Sequence, residues 1–201
     1  GLEQVPALSA DGVLDQAASE AVIASIGGDE FQEGLLEMVT DPATGFYAAV
    51  PFDGWVQAIW YRQDLFNELG LPPPTTWETI ARANRTLAST GELRYGVTLG
   101  TSPEQNYGHQ LFEQVAISAG AYPFDAEGYV TMNSPEMIQA LKWYTELQAY
   151  ALPGSHFWRG AREAYQLDQT GMLFYSTYIM DDLIEGSGLE DGGQVEIAIE
   201  E

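Results

Sequence analysis

Residues 47–66 read YAAVPFDGWVQAIWYRQDLF, and this stretch decides the fold predicted for the chain. The residues at 46–50 and again at 56–61 have the composition of short β-strands, and the Pro-Phe-Asp-Gly-Trp turn separates them. The residues after Arg62 predict a helix that stops at Gly70, because glycine readily adopts the left-handed conformation at a helix end. A strand that leads directly into a helix is typical of an α/β fold.

The same alternation continues on both sides of this stretch. Thr75 and Glu78 match a capping box that opens a helix through Trp77. Ser134 and Pro135 open the clearest helix of the sequence, which runs to about residue 150. The other predicted elements are a helix from Asp29 to Met38, a strand at 95–99, a helix ending at Gly120, a hairpin at 124–130, a helix at 159–167, a strand at 172–175 and a helix start near Tyr178. Residues 1–28 are too weakly patterned to predict an element, and the fold class is α/β.

The composition excludes two classes of partner. The 201 residues include 7 Lys and Arg against 30 Asp and Glu, which gives a net charge of −23. Such a surface repels the phosphates of nucleic acids and of anionic membranes, so neither is expected as a partner. Self-repulsion at this charge favours a protein adapted to high salt, where counterions screen it. An ordinary acidic surface protein explains the composition equally well.

The sequence also limits the chemistry of a site. It contains no cysteine, which rules out disulfides, thiolate metal ligands and cysteine nucleophiles. No apolar run approaches the 18 residues of a membrane span. The first residues, Gly1 to Gln4, do not form a signal peptide, and the chain reads like the middle of a longer protein, from which a signal or anchor could have been trimmed.

No motif for catalysis or cofactor binding stands out. The sequence contains no phosphate-binding loop, no GxGxxG after a strand and no GxSxG elbow. His109 and His156 lie far apart and lack metal-ligand spacing. The carboxylates could supply a glycosidase pair, but nothing singles out two of them, and Asp181-Asp182 reads as a solvated charge run. The glycosylation sequon at Asn84 falls inside a predicted helix, which argues against its use.

Aromatic residues in loops are the strongest indication of function. Four predicted loops near strand–helix junctions carry large rings beside polar residues: Trp55, Tyr107, Phe157-Trp158 and Tyr175 to Tyr178. Exposed rings stack on the apolar faces of sugars, while Asp, Asn, Gln and Ser bond hydroxyl groups. In open α/β sheets ligands bind at the carboxyl ends of strands, where these loops would meet. Trp60, Trp77 and Trp143 lie inside regular elements and are interpreted as core residues.

Together these segments resemble the extracellular solute-binding proteins of ABC importers, in the group of sugar receptors similar to maltose-binding protein. The resemblance rests on the ordered series YAAVPFDGW (47–55), IWYRQDLF (59–66) and PPTTWE (73–78), followed by NSPE (133–136) and EAYQLDQTGM (163–172). It covers roughly residues 29–185. No single motif is diagnostic, whereas the order of the segments is fairly specific.

The resemblance implies a type II periplasmic-binding-protein fold, in which two lobes close on a sugar. Residues 1–46 would be a remnant of the N-terminal lobe, 47–52 the hinge crossing, 53–190 the C-terminal lobe and 191–201 an acidic tail. Members of the family have about a hundred residues before this point and more helices after it, so the chain is expected to be truncated. It would be an extracellular or periplasmic monomer, membrane-anchored in its precursor, that delivers a sugar or oligosaccharide to a membrane permease.

The resemblance also implies a set of ligand-contacting residues, which are Asp53, Trp55, Gln57, Tyr107, Trp158, Tyr175 and Tyr178. Trp55 follows the Val-Pro crossing, where the family has a ligand-facing side chain, and Asp53 and Gln57 flank it. Trp158 occupies the position of a stacking aromatic. Tyr178 stands where the family often has the tryptophan of a Gly-Pro-Trp loop. The hypothesis is that Trp55, Trp158 and Tyr178 stack on the sugar and that Asp53 accepts hydrogen bonds from its hydroxyls.

A protein of this kind performs no bond chemistry and needs no cofactor. Two alternatives remain open at the level of the sequence. A carbohydrate-active hydrolase that uses two carboxylates would release reducing ends, which a receptor does not. A protein-interaction domain would use the aromatic loops as binding hot spots and would respond to a partner protein instead of a sugar.

Overall fold

The computed structural model describes residues 4–32, 34–52, 54–91, 93–103 and 106–186. The chain divides into two compact units, residues 1–54 and 55–201. Among the described residues no helix has the length and apolar character needed to cross a bilayer.

The first unit is mainly helical. Its helices are α1 (Val5–Ala10), α2 (Gln16–Ile26) and α3 (Leu35–Met38), with a 3₁₀ turn at Gly28–Glu30 between α2 and α3. The Asp15 carboxylate caps α2 by accepting the N–H of Ala18. The weak pattern of residues 1–28 had predicted neither α1 nor α2, because α1 buries no residue and α2 buries only Ile23.

Two sequence predictions in this unit were wrong. The strand at 46–50 is absent, and Tyr47 makes only an isolated bridge to Thr40. A single bridge, with no further strand beside it among the described residues of this unit, gives too little pairing to extend into a strand. The single helix from Asp29 to Met38 is instead a 3₁₀ turn and the short α3, because Gly34 adopts a left-handed φ of 83° just before α3.

The second unit is built on a three-stranded sheet. Its strands are β1 (Gln57–Tyr61), β2 (Tyr95–Thr98) and β3 (Thr170–Ser176), in the order β1-β3-β2. β1 pairs with β3 antiparallel, with Gln57 opposite Ser176, and β2 pairs with β3 parallel. Every residue of the central strand is buried. These strands confirm the sequence predictions at 56–61, 95–99 and 172–175.

Helices surround this sheet: α4 (Gln63–Glu68), α5 (Trp77–Leu87), α6 (Tyr107–Ser118), α7 (Pro135–Gln148), α8 (Trp158–Gln166) and α9 (Met180–Gly186), with a 3₁₀ turn at Thr177–Ile179 before α9. α8 packs on β3, α5 packs on β2 and β3, and α6 packs on α7. The α/β class predicted from the sequence is confirmed.

The helix starts follow the capping residues closely. Ser134 caps α7 by accepting the N–H of Met137 at 3.1 Å, as predicted. The capping box of α5 is formed by Thr76 and Thr79, one residue later than the predicted Thr75 and Glu78. The shift has a local cause, since the N–H of Thr75 is already donated to the carbonyl of Pro73 in the preceding turn.

The interpretation of three tryptophans as core residues is confirmed with one refinement. Trp60 is buried and donates its indole N–H to the carbonyl of Tyr175 at 3.1 Å. Trp77 and Trp143 are only partly buried against the core, where they stack on each other with ring centroids 5.1 Å apart. The sequon residue Asn84 is buried in α5 and donates to the carbonyl of Leu147, so glycosylation there would require unfolding.

Close approach of α5 to β2 depends on Gly96. A Cβ at Gly96 would lie 2.1 Å from the carbonyl oxygen of Asn84, whereas a Cβ at Gly160 in α8 would meet its nearest neighbour at an ordinary 3.8 Å. We therefore expect Gly96→Ala to lower the free energy of unfolding by about 1–3 kcal/mol, or to prevent folding. The matched Gly160→Ala is expected to raise it by roughly 0.5–1 kcal/mol through helix propensity. Equal urea midpoints for the two variants would contradict this packing.

Candidate ligand-binding site

One edge of the sheet in the second unit gathers several of the predicted ligand residues. β2 and β3 are parallel, so the loop at 100–103 and the turn at 177–179 leave the sheet on the same side. β1 is antiparallel to β3, so β1 begins on that same side of the sheet. Its first residue is Gln57, and Trp55 lies two residues before it. We call this side the carboxyl edge. It is the side at which open α/β sheets bind ligands.

Trp55 and Tyr178 form an aromatic pair at the carboxyl edge. Their ring centroids lie 6.5 Å apart at an interplanar angle of 71°, and the residues are 54% and 65% exposed. The backbone holds them in place, because the N–H of Thr177 donates to the carbonyl of Val56 at 2.9 Å. The pair therefore presents apolar ring surface to solvent from a fixed position, which suits the apolar face of a carbohydrate.

Gln57 adds a hydrogen-bond acceptor at the same edge of the sheet. It is the first residue of β1 and pairs with Ser176, the last residue of β3. Its Oε1 atom is buried and has no hydrogen-bond partner among the described residues. Because an unsatisfied buried acceptor costs free energy, such an atom in a native protein calls for an explanation. A ligand hydroxyl at the carboxyl edge would supply the missing donor.

Trp158 begins α8 and packs partly against the core. The guanidinium groups of Arg159 and Arg162 each lie 5.3 Å from the centroid of its ring. Arg162 also forms an ion pair with Asp182 of α9, with Nη1 and Oδ2 2.5 Å apart. The Nε of Arg162 is buried and unpartnered among the described residues, like Oε1 of Gln57.

The start of α8 is fixed to the loop that follows β2. The carbonyl of His156 accepts the N–H groups of Thr101 and Ser102 at 3.0 and 2.9 Å. In return the N–H of His156 donates to the hydroxyl of Thr101 at 2.9 Å. α8 ends close to the first residue of β3 and packs along that strand in the opposite direction. The first residues of α8 therefore lie at the carboxyl edge, where β3 ends. Trp158 therefore belongs to the same side of the sheet as Trp55 and Tyr178.

Tyr107 and Tyr175 are not exposed loop residues, and this part of the sequence interpretation was wrong. They are 5% and 4% exposed, and their rings lie 5.8 Å apart. Tyr107 donates its hydroxyl to the carbonyl of Phe174 at 2.6 Å. Burial raises the pKa of Tyr107 well above its usual value. Burial also raises the pKa of Tyr175, while the positive charge of Arg162 lowers it. Both rings support the carboxyl edge from inside the core, and their contact with a ligand stays a prediction.

Asp53, the predicted acceptor of sugar hydrogen bonds, lies outside the described residues. Among the residues that the structure does describe, no group of His, Asp and Glu side chains could hold a metal ion. His156 places Nε2 2.9 Å from the carbonyl of Pro153, and His109 lies in α6.

A cavity of about 570 Å³ lies next to the loop after β2, at the start of α6. It is lined by Gly100, Thr101, Ser102, Pro103, Asn106, Gly108, His109 and Tyr144. None of the six predicted ligand residues that the structure describes lines it. Its hydroxyl, amide and imidazole groups have the chemistry to bond a polar ligand.

Sequence reasoning missed Arg162 and Asp182. Asp182 belonged to a pair read as a solvated charge run, yet its side chain is two-thirds covered and is paired. One signal was available, because Arg162 follows Trp158 by four residues and so lies on the same face of a helix. The partner on α9 could not be recognised, since it is 20 residues away in the sequence.

Comparison with known proteins shows similarity to solute-binding proteins. The sequence model of the family described as bacterial extracellular solute-binding protein matches residues 7–191. The putative ABC transporter periplasmic-binding protein YcjN of Escherichia coli (strain K12) is 34% identical over 173 residues, which cover 86% of this chain and 40% of the relative. The mannitol-binding protein of Pseudomonas aeruginosa is 26% identical over 181 residues, 88% of this chain and 41% of the relative.

Solved structures share the fold. An ABC transporter solute-binding protein from Agrobacterium radiobacter K84, in complex with ribitol, superposes with a TM-score of 0.74 at 26% identity. The match covers 87% of this chain and 45% of that protein. The chain thus spans less than half the length of the relatives it matches.

The phenol of Tyr144, which lines the cavity, makes stability depend on pH. Burial raises its pKa to about 12, and its hydroxyl donates to the carbonyl of Gly100 at 2.6 Å. The folded state therefore holds this proton more tightly than the unfolded state, so its contribution is complete below pH 10 and is lost between pH 10 and 12. We expect Tyr144→Phe to reduce the fall in unfolding free energy over that range by up to about 1.4 kcal/mol per pH unit.

Urea unfolding at pH 9, 10 and 11 measures this difference. The exposed Tyr150 of the same unit provides the control, since Tyr150→Phe is expected to leave the slope unchanged. Identical slopes for the wild type and Tyr144→Phe would show that the phenol is not shielded as described.

Proposed function

The chain belongs to the bacterial extracellular solute-binding protein family, and we propose that it is part of a carbohydrate-binding component of an ABC importer. Its ligand is a sugar or polyol, and its partner is the membrane permease that receives the ligand. The protein acts outside the cytoplasmic membrane, as a monomer and without bond chemistry. The observation that carries this proposal is the exposed Trp55–Tyr178 pair at the carboxyl edge.

The chemistry of the edge favours a neutral polyhydroxyl ligand. Aromatic rings offer apolar surface to the C–H face of such a molecule, and Oε1 of Gln57 offers an acceptor for a hydroxyl. The charge of Arg162, which lies beside Trp158, is balanced by Asp182. The names of the relatives agree with this class, since one is a mannitol-binding protein and another was solved with ribitol.

Transport requires that binding be coupled to a change of shape. In a protein of two lobes, a ligand that contacts both lobes in the closed arrangement shifts the population toward it. We propose that residues 47–52 are the hinge crossing and that the carboxyl edge supplies one wall of the cleft. Residues beyond this chain would supply further contacts, because the relatives are more than twice as long.

A ligand screen tests the proposal. The protein, as its source organism produces it, is mixed with mannitol, ribitol, glucose and maltose in low salt and in molar KCl, and unfolding and tryptophan fluorescence are recorded. One of these ligands should stabilise the protein by about 2.7 kcal/mol at a hundredfold excess over Kd. Trp55→Ala, Trp158→Ala and Tyr178→Ala should each weaken binding at least about tenfold, since each removes one stacking surface.

Tyr129→Ala is the matched control for Tyr178→Ala, because Tyr129 is similarly exposed but lies in the hairpin at 124–130. It should leave the Kd unchanged. Retention of the wild-type Kd by all three site variants would contradict the assignment of the site. Release of reducing ends from maltose would instead support a hydrolase, and a response to a partner protein alone would support an interaction domain.

A further inference from the structure

Arg162 contacts or faces three separate parts of the carboxyl edge. Its guanidinium lies 5.3 Å from the ring centroid of Trp158, four residues earlier on α8. It is paired with Asp182 on α9, the helix that follows Tyr178. It also acts electrostatically on the hydroxyl of Tyr175, near the end of β3, in the opposite sense to Asp182. No other described arginine is in contact with an aromatic ring and a carboxylate at once.

The Arg162–Asp182 ion pair is less exposed to solvent than the other ion pairs of the described residues. The side chains of Arg162 and Asp182 are 19% and 33% exposed, whereas those of Arg62 and its partners Asp64 and Asp168 are between 31% and 67% exposed. Water and salt weaken exposed pairs most, so they weaken the single Arg162–Asp182 contact less than the more exposed contacts of Arg62. A side chain held at one end by a carboxylate restrains whatever it packs against at the other.

The connection between α8 and α9 has a second contact. Gln166, one turn after Arg162, donates its Nε2 to the backbone carbonyl of Asp182 at 3.4 Å. Two side chains of α8 therefore reach the same residue of α9. The residue they reach lies in the first turn of α9, which directly follows the turn at 177–179 that carries Tyr178.

From these contacts we propose that Arg162 is a positioning residue of the binding site: its guanidinium fixes the ring of Trp158, and its ion pair with Asp182 fixes Tyr178. It sets the spacing between two stacking surfaces without contacting the ligand itself. This inference rests on the proposed function, because the two rings matter only if they bind a carbohydrate. Arginine suits the task, since its planar guanidinium packs on a ring and bonds a carboxylate at the same time.

The test combines a signal that needs no ligand with one that does. The protein is labelled with 5-fluorotryptophan, and the Trp158 resonance in the ¹⁹F spectrum is identified with Trp158→Phe. In Arg162→Met the Trp158 resonance should shift or broaden, while those of Trp77 and Trp143, which stack on each other, stay in place. Asp182→Asn should perturb the Trp158 resonance less, because the guanidinium remains beside the ring.

The second signal is affinity for the strongest-binding member of the ligand screen. Arg162→Met should weaken binding at least fivefold, and Arg162→Lys should restore part of the loss, since lysine keeps the charge but not the planar contact. Arg62→Met is the matched control, because it also breaks an ion-paired arginine of the second unit and should leave the Kd unchanged. Arg162→Lys and Asp182→Asn keep the test decisive if Arg162→Met fails to fold.

The outcomes separate the two proposals. An unchanged Trp158 resonance in Arg162→Met overturns the positioning role, whatever the protein binds. Equal losses of affinity in Arg162→Met and Arg62→Met also overturn it, because the effect would then be one of stability alone. If the wild type binds no carbohydrate, the proposed function fails, and the ¹⁹F spectra still decide whether Arg162 orders the ring.

Discussion

The buried strand β3 is the constraint on which the second unit depends. It pairs antiparallel with β1 on one side and parallel with β2 on the other, so a change in its register would displace both neighbours. Packing fixes its position further. A Cβ at Gly171 would lie within 2.9 Å of the side chains of Leu87 and Leu93, so helix and loop close directly over the strand. The direction of β3 then determines which side of the sheet becomes the carboxyl edge.

That edge brings together residues that are far apart in the sequence. Trp55 and Tyr178 meet because the start of β1 lies opposite the end of β3, and Trp158 lies at the same edge of the sheet because α8 runs back along β3. The sheet thus supplies rigid support, while the side chains that face solvent come from its ends. Stacking surfaces held in this way lose little conformational freedom on binding, which favours affinity for a weakly anchored polyhydroxyl ligand.

Local signals in the sequence were sufficient for much of this fold. Ser134 and Pro135 specify the start of α7 through a side-chain cap and a preset backbone angle, and both act within four residues. The aromatics needed more information. Tyr107 looks like a loop residue beside polar neighbours, yet β3 approaches closely enough for its hydroxyl to bond the carbonyl of Phe174. Burial created by a partner 67 residues away leaves no trace in the local pattern, and the same holds for Arg162 with Asp182.

The central claim is that the carboxyl edge beside Trp55, Trp158 and Tyr178 is where a carbohydrate binds. The most direct measurement is a crystal structure of the protein with the carbohydrate that stabilises it most. We expect the ligand to lie in van der Waals contact with the rings of Trp55 and Tyr178 and to place a hydroxyl within hydrogen-bond distance of Oε1 of Gln57. A ligand found instead in the cavity lined by His109 and Tyr144, with the aromatic pair unoccupied, would contradict the claim.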